Sequence, residues 1–250
     1  MKPTRPNHVL IDADILVYKY GHACTDKVQW TPESEVVSWT DLEAAKELIV
    51  DKVRYIMEDL WVNQVTIVLS PFKKNFRHDL YPEYKANRGP SPAFVHPLRR
   101  FIQERYSQVY CAHIPGSTVM LEADDILGCL QDGDDTVIAT IDKDLLQIEG
   151  WNYNLNSGKL TWVTRDMGNK WLFMQALMGD SVDNYKGIPG IGPKKAEKIL
   201  KDAVTFDELH TTTLEAFKAK GLTPEYALVC CQLAHIYQRD EALDTHTWLP

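Results

Sequence analysis

Short runs of hydrophobic residues alternate along the chain with longer segments in which hydrophobic positions recur at helical spacing. Four runs are rich in β-branched residues, which favour buried strands. They lie at residues 8–11, 65–69, 109–114 and 136–141. Because segments of helical spacing separate these strands, the pattern predicts an α/β fold with a mostly parallel central sheet flanked by helices.

Three helices are predicted between these strands. Hydrophobic positions over residues 42–60 recur at helical spacing, and Thr40 with Glu43 predicts a capping box at the start of that helix. Residues 93–106 and 123–130 have the same spacing. In a parallel sheet covered by helices, a functional site is expected at the carboxyl ends of the strands.

Beyond residue 150 the pattern changes to a hairpin and then to helices alone. Residues 151–155 and 160–164 flank a turn and predict a β-hairpin. We therefore expect an α/β domain over residues 1–168 and a helical lobe over residues 169–250. The helices predicted for the lobe cover residues 169–179, 193–203, 206–218 and 223–243.

The composition is that of a globular protein from a reducing compartment. The chain has 250 residues, 44% of them hydrophobic, and five scattered cysteines with no C-x-x-C pair. This cysteine usage predicts neither a disulfide framework nor a zinc site. The chain starts without a signal-peptide pattern and has no apolar run near the roughly 20 residues of a membrane span. We expect a soluble, cytoplasmic monomer.

Charge is unevenly distributed, although its sum of −8 argues against a nucleic-acid partner. Residues 71–105 contain eight Lys and Arg against three acids, whereas residues 122–144 contain eight Asp and Glu against one lysine. The basic stretch includes four prolines between residues 80 and 97, which makes that segment the best candidate for mobility. The chain therefore combines a basic stretch with an acidic focus.

Acidic residues follow the predicted strands. Asp12 and Asp142 each come just after a strand, where an uncompensated charge is costly. Two like charges about 4 Å apart repel by roughly 4 kcal/mol at an effective dielectric of about 20, so converging carboxylates favour divalent cations. Oxygen ligands favour Mg²⁺, with Mn²⁺ as a substitute. The candidate ligands are Asp12, Glu122, Asp124, Asp125, Asp142, Asp144, Asp180 and Asp183.

Not all of these acids need a metal. Carboxylates in the first turn of a helix favour its dipole, which is sufficient explanation for residues 122–125 taken alone. Asp180 and Asp183 instead follow a predicted helix, where acids oppose the dipole. A shared cation explains them better. Two bound ions would suit the hydrolysis of a phosphodiester, because they supply hydroxide and stabilise the leaving oxygen.

A glycine-rich turn joins two predicted helices of the lobe. The sequence G-I-P-G-I-G-P-K-K-A places Gly190 and Gly192 before Pro193, and Lys194 and Lys195 in the first turn of the next helix. Exposed backbone N–H groups, the positive helix end and two lysines predict a cradle for nucleic-acid phosphates. A tight turn between helices is the simpler alternative.

The motifs in order, D…Y-K-x-N-R…E-A-D-D…D-x-D…G-D-x-x-D-N…G-I-x-G-I-G, resemble the 5′-nuclease superfamily. That group includes flap endonucleases, the 5′-nuclease domains of bacterial DNA polymerases and phage 5′–3′ exonucleases. The resemblance runs from Asp12 to about Leu200. It implies a PIN-like fold, a helix–three-turn–helix motif in the lobe, and Mg²⁺-dependent cleavage near the 5′ ends of DNA.

The resemblance also implies roles for individual residues. One metal would be held by Asp12, Glu122 and Asp124. A second would be held by Asp142, Asp144, Asp180 and Asp183, with Asp125 beside them or bridging through water. In a helical arch over residues 71–100, Lys85 and Arg88 would contact the scissile phosphate, and Tyr84 would stack on a base. Lys19 and the turn with Gly190, Gly192, Lys194 and Lys195 would bind DNA, with a monovalent cation such as K⁺ at residues 187–192.

The chain departs from the family pattern after its second predicted strand. Relatives usually carry an aspartate there, whereas this chain has Ser70, Pro71 and Phe72. Asp14 either substitutes for the missing acid or caps the first helix. The departure puts a standard arrangement of two metals in question.

Two other functions compete with the 5′-nuclease. A PIN-type ribonuclease would share the acidic edge, but such domains are typically shorter and lack the G-I-x-G-I-G lobe. A catalytically silent protein that binds DNA junctions is favoured only by the missing acid. The balance between exonuclease and flap cleavage stays open, as does the use of RNA–DNA hybrids as substrate.

Overall fold

A six-stranded sheet forms the centre of the protein. The computed structural model describes residues 6–32, 34–113, 119–239 and 241. The strands lie in the order β5-β4-β1-β6-β7-β8, and all neighbouring pairs except β7 with β8 are parallel. The predicted α/β fold with a mostly parallel sheet is therefore confirmed. The strands are β1 (His8–Asp12), β4 (Gln64–Leu69), β5 (Val109–Cys111), β6 (Thr136–Thr140), β7 (Gly150–Asn154) and β8 (Leu160–Val163).

Two short antiparallel pairs stand outside this sheet. The sequence patterns did not predict them, because their residues are mostly exposed or half-buried and show no hydrophobic run. The first pair, β2 and β3, follows the first helix, and the second, β9 and β10, follows a long helix of the lobe. They comprise β2 (Thr25–Val28), β3 (Val37–Thr40), β9 (Gly179–Asp180) and β10 (Tyr185–Lys186).

Nine helices lie within the described residues. Five belong to the half of the chain that forms the sheet and four to the half that forms the lobe. The first five are α1 (Ala13–Ala23), α2 (Leu42–Leu60), α3 (Phe76–Leu80), α4 (Val95–Arg105) and α5 (Ala123–Leu130). The last four are α6 (Arg165–Met178), α7 (Pro193–Ile199), α8 (Phe206–Lys218) and α9 (Pro224–Ala234).

Both faces of the sheet are buried. Along β1, Val9 and Ile11 pack into one core with the helices α1, α2 and α4, whereas Leu10 packs into a second core with α5. The helical lobe has a core of its own, centred on residues such as Phe173 and Phe217. Because β1 lies in the middle of the sheet and is buried on both faces, its last residue, Asp12, is buried as well.

Several predicted boundaries were wrong for identifiable reasons. Helix α2 is capped by Asp41, which accepts a hydrogen bond from Ala44 N at 3.0 Å, while Thr40 belongs to β3. Helix α6 begins four residues earlier than predicted, because Thr164 caps it. Helix α9 ends at Ala234 rather than Leu243, since the residues after it bond to side chains of the α/β half; residues 242–243 lie outside the described ranges.

The predicted third strand is also shorter than expected. It ends at Cys111, because Ala112 has a φ of 75° and its carbonyl accepts a hydrogen bond from Leu121 N at 2.8 Å. Ile114, the last residue of the prediction, lies outside the described residues.

Candidate active site

A cleft of about 640 Å³ opens at the carboxyl edge of the sheet. Asp12 ends β1, Asp142 follows β6 after one residue, and Asp124 lies in the first turn of α5. All three line the cleft, together with the cationic side chains of Lys19, Lys85 and Arg88. The fold thus brings together acidic and basic candidates that lie far apart in the sequence.

The carboxylates of Asp12, Asp124 and Asp142 form one electrostatic group. Burial, then Asp14 and Asp142, raise the pKa of Asp12 to about 8, although Thr140 Oγ1 donates a hydrogen bond to it at 3.1 Å. Burial, then Asp142 and Asp12, raise the pKa of Asp124. Asp12 and Asp124 are therefore harder to ionise because of burial and their acidic neighbours. A cation would relieve that repulsion.

A second group shares Asp142 with the first. Burial, followed by Asp142 and Asp180, raises the pKa of Asp144 to about 7. Oδ1 of Asp144 is buried and has no hydrogen-bond partner. Asp180 lies in β9, and its Oδ1 accepts hydrogen bonds from the backbone N–H groups of Val182 at 2.6 Å and Asp183 at 3.2 Å. The two groups overlap at the open edge of the sheet.

Glu122 and Asp183 differ from these acids because cations already neutralise them. Lys85 Nζ lies 2.5 Å from Glu122 Oε1 and 3.8 Å from Asp183 Oδ2, and Arg88 Nη2 donates to Asp183 Oδ1 at 2.8 Å. Burial opposes ionisation of Glu122, but Lys85 and Arg77 together lower its pKa to about 2. Cations and acids are thus interleaved along one wall of the cleft.

Tyr84 does not lie where a stacking role requires it. Its ring is only 2% exposed and packs edge-on against His78, with the ring centroids 5.4 Å apart. The hydroxyl lies 2.9 Å from Glu122 Oε2 and 2.8 Å from Asp183 Oδ2, so its single hydrogen serves one of them at a time. Stacking of Tyr84 on a base therefore stays a prediction; in this structure the ring is buried and the hydroxyl contacts two carboxylates.

Asp125 is separated from the acidic groups by a buried ion pair. Its side chain is fully buried, and Nη1 and Nη2 of Arg77 each donate to it at 2.7 Å. The place of Asp125 beside the second metal, or bridging to it through water, stays a prediction; in this structure Arg77 occupies both of its oxygens. Sequence reasoning missed Arg77, since nothing in a basic stretch distinguishes one buried arginine from its exposed neighbours.

Ser70 replaces the acid expected after the second predicted strand, and Asp14 faces it. The backbone N–H of Ser70 donates to Asp14 Oδ2 at 2.6 Å, and Arg99 pairs with Oδ1 of Asp14. Burial raises the pKa of Asp14, whereas Arg99 lowers it, with a net rise. The N-cap residue of α1 is Asp12, and Asp14 lies within the first turn, so the capping alternative was wrong. Ser70 Oγ accepts from Ala123 N at 3.2 Å, which ties this corner to α5.

The candidate phosphate-binding residues occupy two places. Lys19 lies in the cleft, where its Nζ donates to Asn156 Oδ1 at 2.9 Å. Lys194 and Lys195 are exposed in the first turn of α7, and Lys195 Nζ donates to the carbonyl of Gly190 at 2.8 Å. These lysines belong to the lobe rather than to the lining of the cleft.

The glycine-rich turn leaves its backbone open. Gly190 has a φ of 76°, a conformation that favours glycine, and a Cβ at Gly190 or Gly192 would meet nothing within 4 Å. Gly187 is different, because its Cβ would lie 2.4 Å from the backbone of Gly179 and Leu177. Gly187 therefore allows close packing against the end of α6, whereas Gly190 and Gly192 leave open space beside the backbone.

The acids are not arranged as a finished metal site. Nowhere in the described ranges do three or more His, Cys, Asp or Glu side chains surround a point at which one ion could sit. Lys85, Arg88 and Arg77 take up oxygens of Glu122 and Asp183 that an ion would use. What the geometry offers is a repulsive set of oxygen donors with cations beside it.

Family models match the chain over nearly its whole length. Residues 7–170 match the model described as 5′-3′ exonuclease, N-terminal resolvase-like domain, and residues 167–241 match 5′-3′ exonuclease, C-terminal SAM fold. The chain belongs to the 5′-3′ exonuclease family. Membership confirms the resemblance drawn from the motifs, and it places this cleft in a family of nucleases.

Curated members of the family match the chain over part of their own length. The 5′-3′ exonuclease of Bacillus subtilis is 33% identical over 153 residues, which is 54% of this chain and 51% of that protein. DNA polymerase I of Rhizobium leguminosarum is 34% identical over 62% of this chain and 16% of the polymerase. The exodeoxyribonuclease of Enterobacteria phage T3 is 27% identical over 86% of this chain and 72% of the phage protein. The chain thus spans about half or less of the first two relatives.

Solved structures of the family share the fold. The phage T5 5′-exonuclease with divalent zinc ions has a TM-score of 0.65 at 16% identity, over 91% of this chain and 89% of that one. A phage T5 flap endonuclease complex with DNA and metal ions has a TM-score of 0.59 at 16% identity, over 91% and 92%. This likeness confirms the α/β architecture with its helical lobe. In the described part of the chain, no helix is long and apolar enough to cross a membrane.

Proposed function

We propose that this chain is a divalent-metal-dependent 5′-nuclease that hydrolyses phosphodiester bonds near the 5′ ends of DNA. The observation that carries the proposal is the pair of acidic groups that share Asp142. Asp142 lines the same cleft as Lys85 and Arg88. A cleft lined only by acids would repel a nucleic acid. Here the cations supply contacts for phosphate, and the acids supply ligands for metal ions.

The donor set fits divalent metal ions. Asp12 and Asp124 have raised pKa values, and Asp144 has a buried oxygen without a partner, so these positions would gain most from a cation. Oxygen donors favour Mg²⁺ or Mn²⁺, which lower the pKa of a bound water and stabilise the leaving oxygen. We assign one ion to Asp12, Glu122 and Asp124, and a second to Asp142, Asp144, Asp180 and Asp183.

The cations would bind the scissile phosphate. Lys85 and Arg88 contact Glu122 and Asp183 through hydrogen bonds that a phosphate oxygen can replace at similar length. If Glu122 and Asp183 held metal ions, Lys85 and Arg88 would be available to a phosphate of the substrate. The Tyr84 hydroxyl lies between these two acids and can donate to either one.

The lobe would bind the DNA backbone at residues that lie outside the cleft. We assign phosphate contacts to Lys194 and Lys195, to the open backbone at Gly190 and Gly192, and to Lys19 beside the acids. A monovalent cation such as K⁺ would lie at residues 187–192. Contacts of this kind position a duplex without reading its sequence.

The proposal extends to the location, assembly, substrate range and domain division of the protein. We propose that the protein acts as a cytoplasmic monomer and that RNA–DNA hybrids are substrates besides DNA. We keep residues 1–168 as the nuclease domain, with residues 71–100 lying against the 5′ strand, and residues 169–250 as the DNA-binding lobe. A silent DNA-binding protein is the second candidate, because the missing acid at Ser70 and the ion pairs of Lys85 both favour it.

Cleavage of a 5′-labelled flap distinguishes these candidates. Wild type should cleave in Mg²⁺ and stop in EDTA, while binding the flap in both. Asp124→Asn should abolish cleavage, whereas Asp51→Asn, at an acid with 66% side-chain exposure on α2, should behave as wild type. Binding without any cleavage by wild type in Mg²⁺ or Mn²⁺ would favour the silent protein. Cleavage of single-stranded RNA alone would favour a ribonuclease.

A further inference from the structure

Arg77 lies in α3, outside the cleft, and every N–H group of its buried guanidinium has a partner. Its Nη1 and Nη2 donate to Asp125 Oδ2 and Oδ1, each at 2.7 Å. Nη1 also donates to Glu122 Oε2 at 3.3 Å, Nη2 to the His235 carbonyl at 2.5 Å, and Nε to the Leu233 carbonyl at 3.2 Å. A guanidinium has five N–H donors, so the five acceptors use all of them.

These contacts join three separate parts of the chain. Arg77 belongs to the segment after β4, its carboxylate partners begin α5, and its carbonyl partners lie at the end of α9. Asp125 repeats the same connection, because its Oδ2 accepts from Glu122 N at 3.1 Å and its Oδ1 from Tyr237 N at 3.2 Å. The segment after α9 is thus bonded to Arg77 through the His235 carbonyl and to Asp125 through Tyr237 N.

The network ends at Lys85, which lines the cleft. Glu122 Oε2 receives Arg77 and Tyr84, which leaves Oε1 directed to Lys85. Lysine in place of Arg77 would keep the charge but could not span both oxygens of Asp125 and two carbonyls at once, because its three donors radiate from one nitrogen. The planar guanidinium of Arg77 therefore fixes the direction in which Glu122 presents Oε1.

We propose that Arg77 is a positioning residue for the acidic site. It holds Glu122 in place, and it makes that placement depend on the docking of His235 and Tyr237 behind α5. The proposal rests on the proposed function, in which Glu122 binds a divalent ion. Partners of this kind, behind a metal ligand, typically change metal affinity or activity by about 10- to 100-fold when they are removed.

Four variants separate positioning from folding. Arg77→Met leaves Asp125 buried without a counter-ion and should destabilise the protein. Arg77→Met with Asp125→Leu replaces the buried pair by apolar groups, which often restores stability. Arg77→Lys keeps the charge without the fork. Arg54→Met is the matched control, at an arginine of α2 whose side chain is 64% exposed.

Four measurements are made on each variant of the full chain. Urea unfolding gives stability, electron paramagnetic resonance gives Mn²⁺ affinity without DNA, a flap assay gives kcat and KM, and trypsin cleavage after Arg239 in EDTA reports the docking of the segment after α9. We expect the double variant to regain part of the stability that Arg77→Met loses, because the buried charge is gone although the backbone groups at Glu122, Leu233, His235 and Tyr237 lose their partners. Its Mn²⁺ affinity and kcat should be lower by about tenfold or more, with KM unchanged. Its cleavage after Arg239 should be faster. Arg77→Lys should be intermediate, and Arg54→Met should match wild type.

A stable double variant with wild-type Mn²⁺ affinity and kcat would show that Arg77 only holds the fold. Should that variant not fold, Arg77→Lys decides, and unchanged Mn²⁺ affinity in it contradicts the proposal. Failure of the proposed function is separate, because wild type itself would then neither bind Mn²⁺ nor cleave DNA. In that case unchanged trypsin cleavage in Arg77→Lys would still overturn the coupling to His235 and Tyr237.

Discussion

The backbone N–H of Ser70 donates to Asp14 Oδ2 at 2.6 Å, across 56 positions of the sequence. Arg99 completes this corner, because its guanidinium pairs with Asp14 and also donates to the Ser70 carbonyl. Where the resemblance to the family implies an acid after this strand, the chain instead has an acid from α1 that is already paired. Asp14 is better suited to holding α1 and β4 together than to binding a metal ion.

Loss of the Asp14 carboxylate should cost stability rather than metal affinity. Asp14→Asn leaves Arg99, whose side chain is 6% exposed, without its counter-ion, and breaking such a buried pair costs about 3–5 kcal/mol. Urea unfolding should show this loss, while the Mg²⁺ concentration for half-maximal cleavage stays near the wild-type value. Asp51→Asn is the surface control. A stable Asp14→Asn protein that needs more Mg²⁺ would instead make Asp14 a ligand.

Restoring an acid at position 70 should reduce the demand for metal. Ser70→Asp adds a carboxylate next to Ala123 N and close to Asp124, so the half-maximal Mg²⁺ concentration for flap cleavage should fall. Ser70→Asn, of the same size without the charge, is the control. Identical Mg²⁺ curves for the two variants would show that the position does not reach an ion.

Stability of the metal-free protein should fall as pH rises. The folded protein raises the pKa of Asp12 to about 8 and of Asp144 to about 7, above an unfolded value of 3.8. Such acids bind protons more tightly in the folded state, so the free energy of unfolding decreases between about pH 4 and 8. Thermal unfolding in EDTA should show this trend, and Mg²⁺ should remove it. Asp142→Asn should flatten the trend, and a slope as steep as that of wild type would contradict the grouping of these acids.

Two acids should be needed for cleavage but not for binding. Asp142→Asn and Asp180→Asn each remove a proposed metal ligand and leave Lys194 and Lys195 intact, so flap binding should persist while cleavage is lost. Gel-shift and cleavage assays test both properties. Asp202→Asn, at a side chain 86% exposed in the lobe, should change neither. More than a few per cent of wild-type activity in both variants would refute the assignment.

The lobe lysines should set the salt dependence of DNA binding. Lys194→Ala with Lys195→Ala should weaken binding to all duplex sequences and flatten the log–log salt slope by about 0.9 for each phosphate that is no longer neutralised. Lys218→Ala with Lys220→Ala, two exposed lysines of the same lobe, is the charge-matched control. Equal slopes for the two double variants would place the phosphate-binding surface elsewhere.

Strands and helices that follow from hydrophobic periodicity could be predicted from the sequence. Contacts of a side chain that has several candidate partners could not. Runs of β-branched residues predicted β1, β4 and β6, and carboxylates that follow strands had to meet at one edge. Nothing local could show that Arg77 would choose Asp125, or that the ring of Tyr84 would be buried, because both outcomes depend on segments that lie far apart. The hairpin of β2 and β3 was missed for the opposite reason, since its exposed strands carry no hydrophobic pattern.

The position of β1 in the middle of the sheet also bears on how the protein folds. Asp12 meets Thr140 across 128 positions of the chain, so the acids come together only after the central strands have paired. Contacts between such distant segments form slowly, and repulsion among the acids is confined to the assembled state. Divalent ions should therefore slow unfolding more than they accelerate folding. They would thus increase the kinetic stability of the native protein.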